Sequence, residues 1–178
     1  AATEFWKISA QNGDIYKKNY KSKYCVGCEM ERTDSELVNG RCELHQDRDL
    51  EIIEEENYFF RYSKYQEKLL ELYDKWPNLV LPKSRLNEIR SFVSRGLQDF
   101  SISRLKSKLP WGIPVPGDPD HVMYVWFDAL VSYIAAIGWQ GGGESGTETA
   151  SFKKWVTESD GMVQYCGKDN LRPQAAMW

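Results

Sequence analysis

The sequence predicts an α/β protein: a parallel sheet with helical crossovers, preceded by a small metal-binding knuckle and a helical hairpin. Three observations predict it. Three of the four cysteines and one of the two histidines fall within 21 residues, as Cys25-x2-Cys28-x13-Cys42-x2-His45. Two apolar stripes of helical period, opening at Ser63 and Ser84, are joined by a short link containing Pro77 and Pro82. Beyond Gly96, two runs of β-formers, residues 122–127 and 162–166, each lead directly into a helical stretch. Strand–helix–strand–helix with short turns is the order of a parallel sheet with crossovers.

At 178 residues and 42% hydrophobic, the chain can bury one good core with a small appended module. A net charge of −3 argues against a broad nucleic-acid-binding surface. No apolar run approaches the roughly 20 residues a bilayer span needs. With no signal or transit segment visible, the expected compartment is reducing and soluble: the cytoplasm, with the mitochondrion left open. Residues 1–6 start inside an amphipathic helix, with Phe5, Ile8 and Trp6 on one side, and residues 171–178 stop in mid-helix without a cap. The expectation is an internal part of a longer protein.

Along the chain, residues 1–12 form a short helix closed by Asn12-Gly13. Residues 15–24 interleave tyrosines with Lys17, Lys18, Lys21 and Lys23, a solvated strand face, with RNA contact as the alternative. The knuckle follows. A CxxC pair lets two thiolates bite one ion from a tight turn, Gly27 supplying the permissive backbone. Asn39-Gly40 turns the loop back to Cys42 and His45. Four ligands, Cys25, Cys28, Cys42 and His45, close the sphere of a zinc ion, which makes it structural rather than catalytic. A disulfide fits less well: no secretory signal precedes the cluster, and Cys166 is far away in sequence.

The acidic residues Glu54-Glu55-Glu56 lead into a strand at 57–61. Ser63 opens a helix and Gln66 completes a capping box. Tyr65, Leu69, Tyr73 and Trp76 share one face before Pro77 ends it. A second helix over 84–97 puts Leu86, Ile89, Val93 and Leu97 on its own face, so the pair reads as a packed hairpin. Residues 101–104 and 111–116 read as strand and loop, 122–127 as strand, and Asp128 as the cap of a helix to Ile137. The Gly-rich loop 138–146 lacks Gly-Lys-Ser/Thr and a preceding strand, and reads as a surface connection. Phe152, Trp155 and Val156 make a short helix. Residues 162–166 form a second strand, which Gly167-Lys168-Asp169 turns into a last helix.

In open parallel sheets, ligands bind beyond the carboxyl ends of the strands. Two segments fall there: Trp126-Phe127-Asp128-Ala129-Leu130, and Gly167-Lys168-Asp169. A glycine two residues before an aspartate allows close backbone approach and offers a carboxylate to a ribose diol; an ordinary helix cap explains it equally well. Trp126 and Tyr133 either line an apolar pocket or belong to the core.

The motifs taken together resemble those of the methionyl-tRNA synthetases, a family of class I aminoacyl-tRNA synthetases, along nearly the whole chain. The residues that carry the resemblance are Tyr24-Cys25-Val26-Gly27-Cys28, Glu36-Leu37-Val38-Asn39-Gly40-Arg41-Cys42, and Glu56-Asn57-Tyr58-Phe59-Phe60-Arg61 with Ser63-Lys64-Tyr65. Farther on come Ser101-Ile102-Ser103-Arg104, Trp111-Gly112-Ile113-Pro114-Val115-Pro116, Tyr124-Val125-Trp126-Phe127-Asp128-Ala129-Leu130, and Gly167-Lys168-Asp169. The series in one order is specific where no single segment is.

The resemblance implies a doubly wound, Rossmann-like catalytic domain split by a connective insertion that carries the zinc knuckle. Residues 1–14 would end the first Rossmann half, 15–98 would form the insertion, and 99–178 would open the second half. It further implies that Trp126, Ala129, Leu130, Tyr133 and Gln174 bind methionine, that Gly167 and Asp169 hold the ribose of ATP, and that Arg104 serves activation. The implied partners are methionine, ATP with Mg²⁺, tRNA(Met) through parts mainly outside these residues, and the remainder of the synthetase, in the same chain or another. The implied reaction joins methionine to AMP and then transfers it to tRNA.

Neither a His-Ile-Gly-His-like nor a Lys-Met-Ser-Lys-Ser-like stretch occurs, so these 178 residues are expected not to make adenylate alone. The family often has a histidine five residues after the Gly-x-Asp aspartate, where this chain has Gln174. Glutamine hydrogen-bonds but carries no charge near neutral pH. Two other functions compete. A free-standing zinc-binding RNA module would use the knuckle and Lys17–Lys23 but leaves the strand–helix units unexplained. For a dinucleotide-dependent oxidoreductase, no Gly-x-Gly-x-x-Gly turn joins a strand to a helix.

Overall fold

Apolar residues three and four apart near the start do form a helix, α1 (Ala2–Gln11), which ends where the N–H groups of Asn12 and Gly13 donate to the Ile8 and Ala10 carbonyls, both at 3.0 Å. The computed structural model describes all residues except 28, 29, 33, 35, 36 and 142–148, and leaves aside the side chains of 22, 30, 31 and 53. After α1 come β1 (Ile15–Cys25), β2 (Met30–Arg32), β3 (Leu37–Val38), β4 (Arg41–Cys42) and β5 (Glu51–Phe60). A 3₁₀ turn (Tyr62–Tyr65), α2 (Gln66–Lys75), α3 (Lys83–Ser94), β6 (Phe100–Ser101), β7 (Ser103–Leu105), β8 (Pro114–Val115) and β9 (Asp118–Met123) follow. The chain closes with α4 (Val125–Ala135), α5 (Ala150–Phe152) and short helical turns at Lys168–Asn170 and Pro173–Met177. Two units result: Lys17–Asn57, and Ala1–Tyr16 with Tyr58–Trp178.

In the smaller unit β1 pairs antiparallel with β2, Cys25 opposite Met30. β3 and β4 form a two-residue hairpin with Val38 opposite Arg41. Asn39 and Gly40 both take positive φ, 53° and 78°, the type I′ geometry whose twist matches a hairpin. Lys17 pairs with Glu56 at 2.9 Å, Lys21 with Glu54 at 3.6 Å and Lys23 with Asp34 at 2.6 Å. Lys17 and Lys21 therefore face acidic residues of β5, and Lys23 faces Asp34.

The larger unit has two cores. In the first, α2 and α3 pack through Tyr73, Leu86, Ile89 and Val93 with Tyr62, Leu97, Leu171 and Ala176. Each such buried side chain contributes roughly 1.5–3 kcal/mol. The Tyr73 hydroxyl donates to the Ala175 carbonyl at 2.7 Å, tying residues 173–177 to the hairpin. In the second, Phe127 meets Phe5 and Trp6, each with ring centroids 5.2 Å away, beside Ile102, Val115 and Met123. That aromatic contact seats α4 on α1.

Several expectations change. The run 122–127 is not one strand: β9 ends at Met123, Tyr124 is the extended N-cap, and α4 starts at Val125. Burial of Phe127 against α1 overrides the β-preference of Val125-Trp126-Phe127, as tertiary packing does for short runs. Asp128 therefore lies in the first turn rather than at the cap. Ser63 makes no capping box. Its N–H and hydroxyl both donate to Asp99, at 3.0 and 2.7 Å, and Gln66 instead accepts from the N–H of Leu97. Trp76 is 55% exposed despite its place on the apolar stripe.

The mixed α/β character holds, but the pairs β1–β2, β3–β4, β5–β6, β7–β9 and β8–β9 are all antiparallel. β9 is flanked on both edges, in the order β7-β9-β8, so it has no edge to offer residues 162–166. That segment takes no strand assignment, and Met162, Val163 and Tyr165 are 53, 76 and 96% exposed. Of the Gly-rich loop, residues 142–146 lie outside the described residues.

Candidate functional site

Trp126, Ala129, Leu130 and Tyr133 are spaced i, i+3, i+4 and i+7 on α4, so one face of the helix presents all four. Together with Tyr165, Cys166, Gly167, Asn170 and Gln174 they line a cavity of about 370 Å³. Leu130 is its buried floor, while Trp126 and Tyr133 stand about half exposed. Gln174 Nε2 donates to the Tyr133 hydroxyl at 2.8 Å, and Gln174 Oε1 is buried without a hydrogen-bond partner among the described residues. The Tyr133 ring also meets Trp178, centroids 6.0 Å apart. The α4 side of the cavity is aromatic and aliphatic, while Asn170, Cys166 and the Gln174–Tyr133 pair add polar groups, a mixture that suits a ligand with a flexible apolar side chain and polar ends.

Asp169 does not line this cavity. Its Oδ1 lies 2.6 Å from where a Cβ on residue 167 would stand, so the glycine is what lets the carboxylate close over the turn. Gly167 adopts extended backbone ahead of the Lys168–Asn170 turn. Asp128, in the first turn of α4, has its carboxyl raised above the usual range by burial, against the pull of the Ala129 and Asp128 backbone N–H groups. Arg104 lies on β7, away from the cavity lining. Its Nη1 donates to Ser101 Oγ and to the Ser103 carbonyl, both at 2.8 Å, and its guanidinium carbon sits 3.8 Å from the Tyr124 ring centroid.

In the smaller unit, one ligand atom each of Cys25, Cys42 and His45 lie within 4.8 Å of one another. The Cys25 and Cys42 sulfurs are 3.6 and 4.0 Å from His45 Nδ1. A tetrahedral ion at ordinary Zn–S and Zn–N lengths sets such atoms ~3.5 Å apart. Both cysteines are buried. A Cβ on residue 27 would stand 2.6 Å from the His45 ring, so glycine there admits the imidazole. The three residues fit a metal; Cys28 lies outside the described residues.

A family profile described as tRNA synthetases class I (M) matches residues 28–178. The chain belongs to this family. It is 46% identical to the methionine–tRNA ligase of Nostoc sp. (strain PCC 7120), over 98% of this chain and 32% of that protein. The chloroplastic/mitochondrial methionine–tRNA ligase of Arabidopsis thaliana is 42% identical over 98% of this chain and 27% of its own length. Among solved structures, a Mycobacterium tuberculosis methionyl-tRNA synthetase in complex with methionyl-adenylate matches at TM-score 0.82 and 38% identity, covering 100% of this chain and 34% of that one. The chain thus spans between about a quarter and a third of the length of these relatives.

Of the residues the family resemblance assigned to methionine and ribose, the fold brings Trp126, Ala129, Leu130, Tyr133, Gly167 and Gln174 to one cavity. It places Asp169 beside Gly167 and Arg104 elsewhere on β7. Sequence reasoning missed Tyr165, Cys166 and Asn170, which line the same cavity. The signal was there for the first two: they end the run 162–166, directly before the glycine. Asn170 had none.

Proposed function

We propose that this chain is the methionine-recognising part of a methionine–tRNA ligase. The observation that carries the proposal is the α4 face meeting Gly167 and Gln174 around one cavity. In it, Trp126 and Tyr133 flank the thioether, Ala129 and Leu130 receive its methylenes, and Gln174 orients the Tyr133 hydroxyl. Sulfur–aromatic contacts are worth ~0.3–1.5 kcal/mol each. A pocket of this kind separates side chains differing by one methylene by about 1–3 kcal/mol. Gly167 and Asp169 hold the ribose, and Arg104 contributes positive charge during activation.

The reaction is two displacements. The methionine carboxylate attacks the α-phosphate of ATP, forming methionyl-adenylate and releasing pyrophosphate. A ribose hydroxyl at the tRNA 3′ end then attacks the carbonyl and releases AMP. Catalysis rests on positioning and charge stabilisation, with Mg²⁺ and phosphate-binding segments that this chain's sequence does not contain. Cys25, Cys28, Cys42 and His45 would hold zinc, which ties the knuckle together and takes no chemical step. We place the protein in the cytoplasm. The RNA-module reading loses its support, because Lys17, Lys21 and Lys23 pair with carboxylates.

The test is a chimaera in which these 178 residues replace the matching third of the Nostoc ligase. Methionine-dependent pyrophosphate exchange is expected, with Trp126→Ala and Tyr133→Ala each raising KM for methionine by about 10–100-fold. A chimaera without exchange, or one indifferent to both substitutions, contradicts the proposal.

A further inference from the structure

We infer that Tyr124 and Ser101 are positioning residues that hold the Arg104 guanidinium in place for the activation step. The inference rests on the proposed function, but its geometry is independent of the methionine cavity.

Tyr124 is fixed at both backbone ends. Its N–H donates to the Ile102 carbonyl at 2.9 Å, and its carbonyl accepts the Phe127 N–H at 3.0 Å. It is the extended residue on which α4 begins. These bonds fix the backbone from which the ring projects beside Arg104. The guanidinium lies 3.8 Å from the ring centroid. Arg104 sits on β7 opposite Val122, and Ser103 opposite Met123, so the ladder carries the arginine and the tyrosine to the same end of the sheet.

Ser101 supplies the second restraint. Arg104 Nη1 donates to Ser101 Oγ at 2.8 Å, and Ser101 Oγ donates in turn to the Ser103 carbonyl at 3.2 Å. The Ser103 carbonyl accepts from Nη1 as well, at 2.8 Å. One guanidinium face is thus covered by an aromatic ring and one nitrogen is pinned by a serine and a carbonyl. A stacked guanidinium still directs its N–H groups outward in its own plane. An unrestrained arginine would have to be ordered at each turnover; this one is ordered beforehand, the preorganisation that favours transition-state contacts over ground-state binding.

The test measures pyrophosphate exchange in the chimaera. Tyr124→Leu keeps bulk and removes the π-face; kcat is expected to fall about tenfold with KM for methionine unchanged. Tyr124→Phe keeps the face and restores kcat. Ser101→Ala lowers kcat in the same direction. In an Arg104→Gln background, Tyr124→Leu is expected to add nothing, because its effect runs through the arginine. Additive losses in the double variant overturn the inference, as does a raised KM for methionine with a lowered melting temperature, the mark of a ring that merely supports α4. If the unsubstituted chimaera exchanges no pyrophosphate, the proposed function fails. If it does and Tyr124→Leu matches it, this inference alone fails.

Discussion

Gln174 donates through Nε2 to the hydroxyl of Tyr133 at 2.8 Å, joining the Pro173–Met177 turn to the last part of α4. The amide makes the phenol oxygen an acceptor, which turns the phenol's own proton toward whatever acceptor the cavity receives. The Gln174 amide carries no titratable group.

In the chimaera, KM for methionine is therefore expected to be flat between about pH 5.5 and 8 with Gln174. With Gln174→His it acquires a step with a midpoint near about pH 6.5. A pH profile of KM for the two proteins checks this; a step present with Gln174 and absent with histidine contradicts it.

Phe127 is the contact that sets the angle of α4, because its ring meets Phe5, Trp6 and Phe60. Phe127→Ala should destabilise the larger unit by about 3–5 kcal/mol, read from urea unfolding. Methionine KM should rise with it, since α4 carries four of the cavity residues.

Tyr65 is partly buried and donates to Asp14 at 2.7 Å; the desolvation, that hydrogen bond and the Asp14 charge push its hydroxyl pKa up to about 12. Burial also pushes Tyr73 up to about 12. The fold holds these protons more tightly than the unfolded chain does. The stability they contribute is whole below pH 10, the ordinary tyrosine value, and is lost as pH rises through the folded values. Denaturation midpoints measured across that window should fall, and Tyr65→Phe should flatten the fall.

Residues 17–57 form their own unit with the Cys25, Cys42 and His45 cluster inside it. Chelation, or Cys42→Ser, should raise amide exchange through that unit and leave methionine KM unchanged. A rise in KM without faster exchange would show that the metal does something other than hold the knuckle.

These 178 residues alone should show no methionine-dependent pyrophosphate exchange, since the sequence lacks both phosphate-handling motifs. Exchange by the refolded chain contradicts that.

The sequence carried the features written in local spacing. Helical period marked α2 and α3 through Tyr73, Leu86, Ile89 and Val93, all buried. Asn39-Gly40 marked its hairpin, and the Cys/His spacing marked a cluster whose described members converge. Features set by distant partners stayed hidden. Asp99, 36 residues from Ser63, takes the hydroxyl that would have capped α2. Phe5 and Trp6 draw Phe127 into a helix where local propensity favours strand. The Arg104–Tyr124 stack needs the β7–β9 register, which no short motif encodes. For the cavity, the residues themselves offered only Trp126 and Tyr133, and the family resemblance added Ala129, Leu130, Gly167 and Gln174, whereas Asn170 joins through a turn with no sequence mark.

The most direct test of the central claim is a crystal structure of the chimaera, its own methionines left as sulfur, soaked with L-selenomethionine and measured at the selenium edge. The account predicts one anomalous peak bounded by Trp126, Tyr133 and Gln174. A peak elsewhere, with that cavity empty, would contradict it.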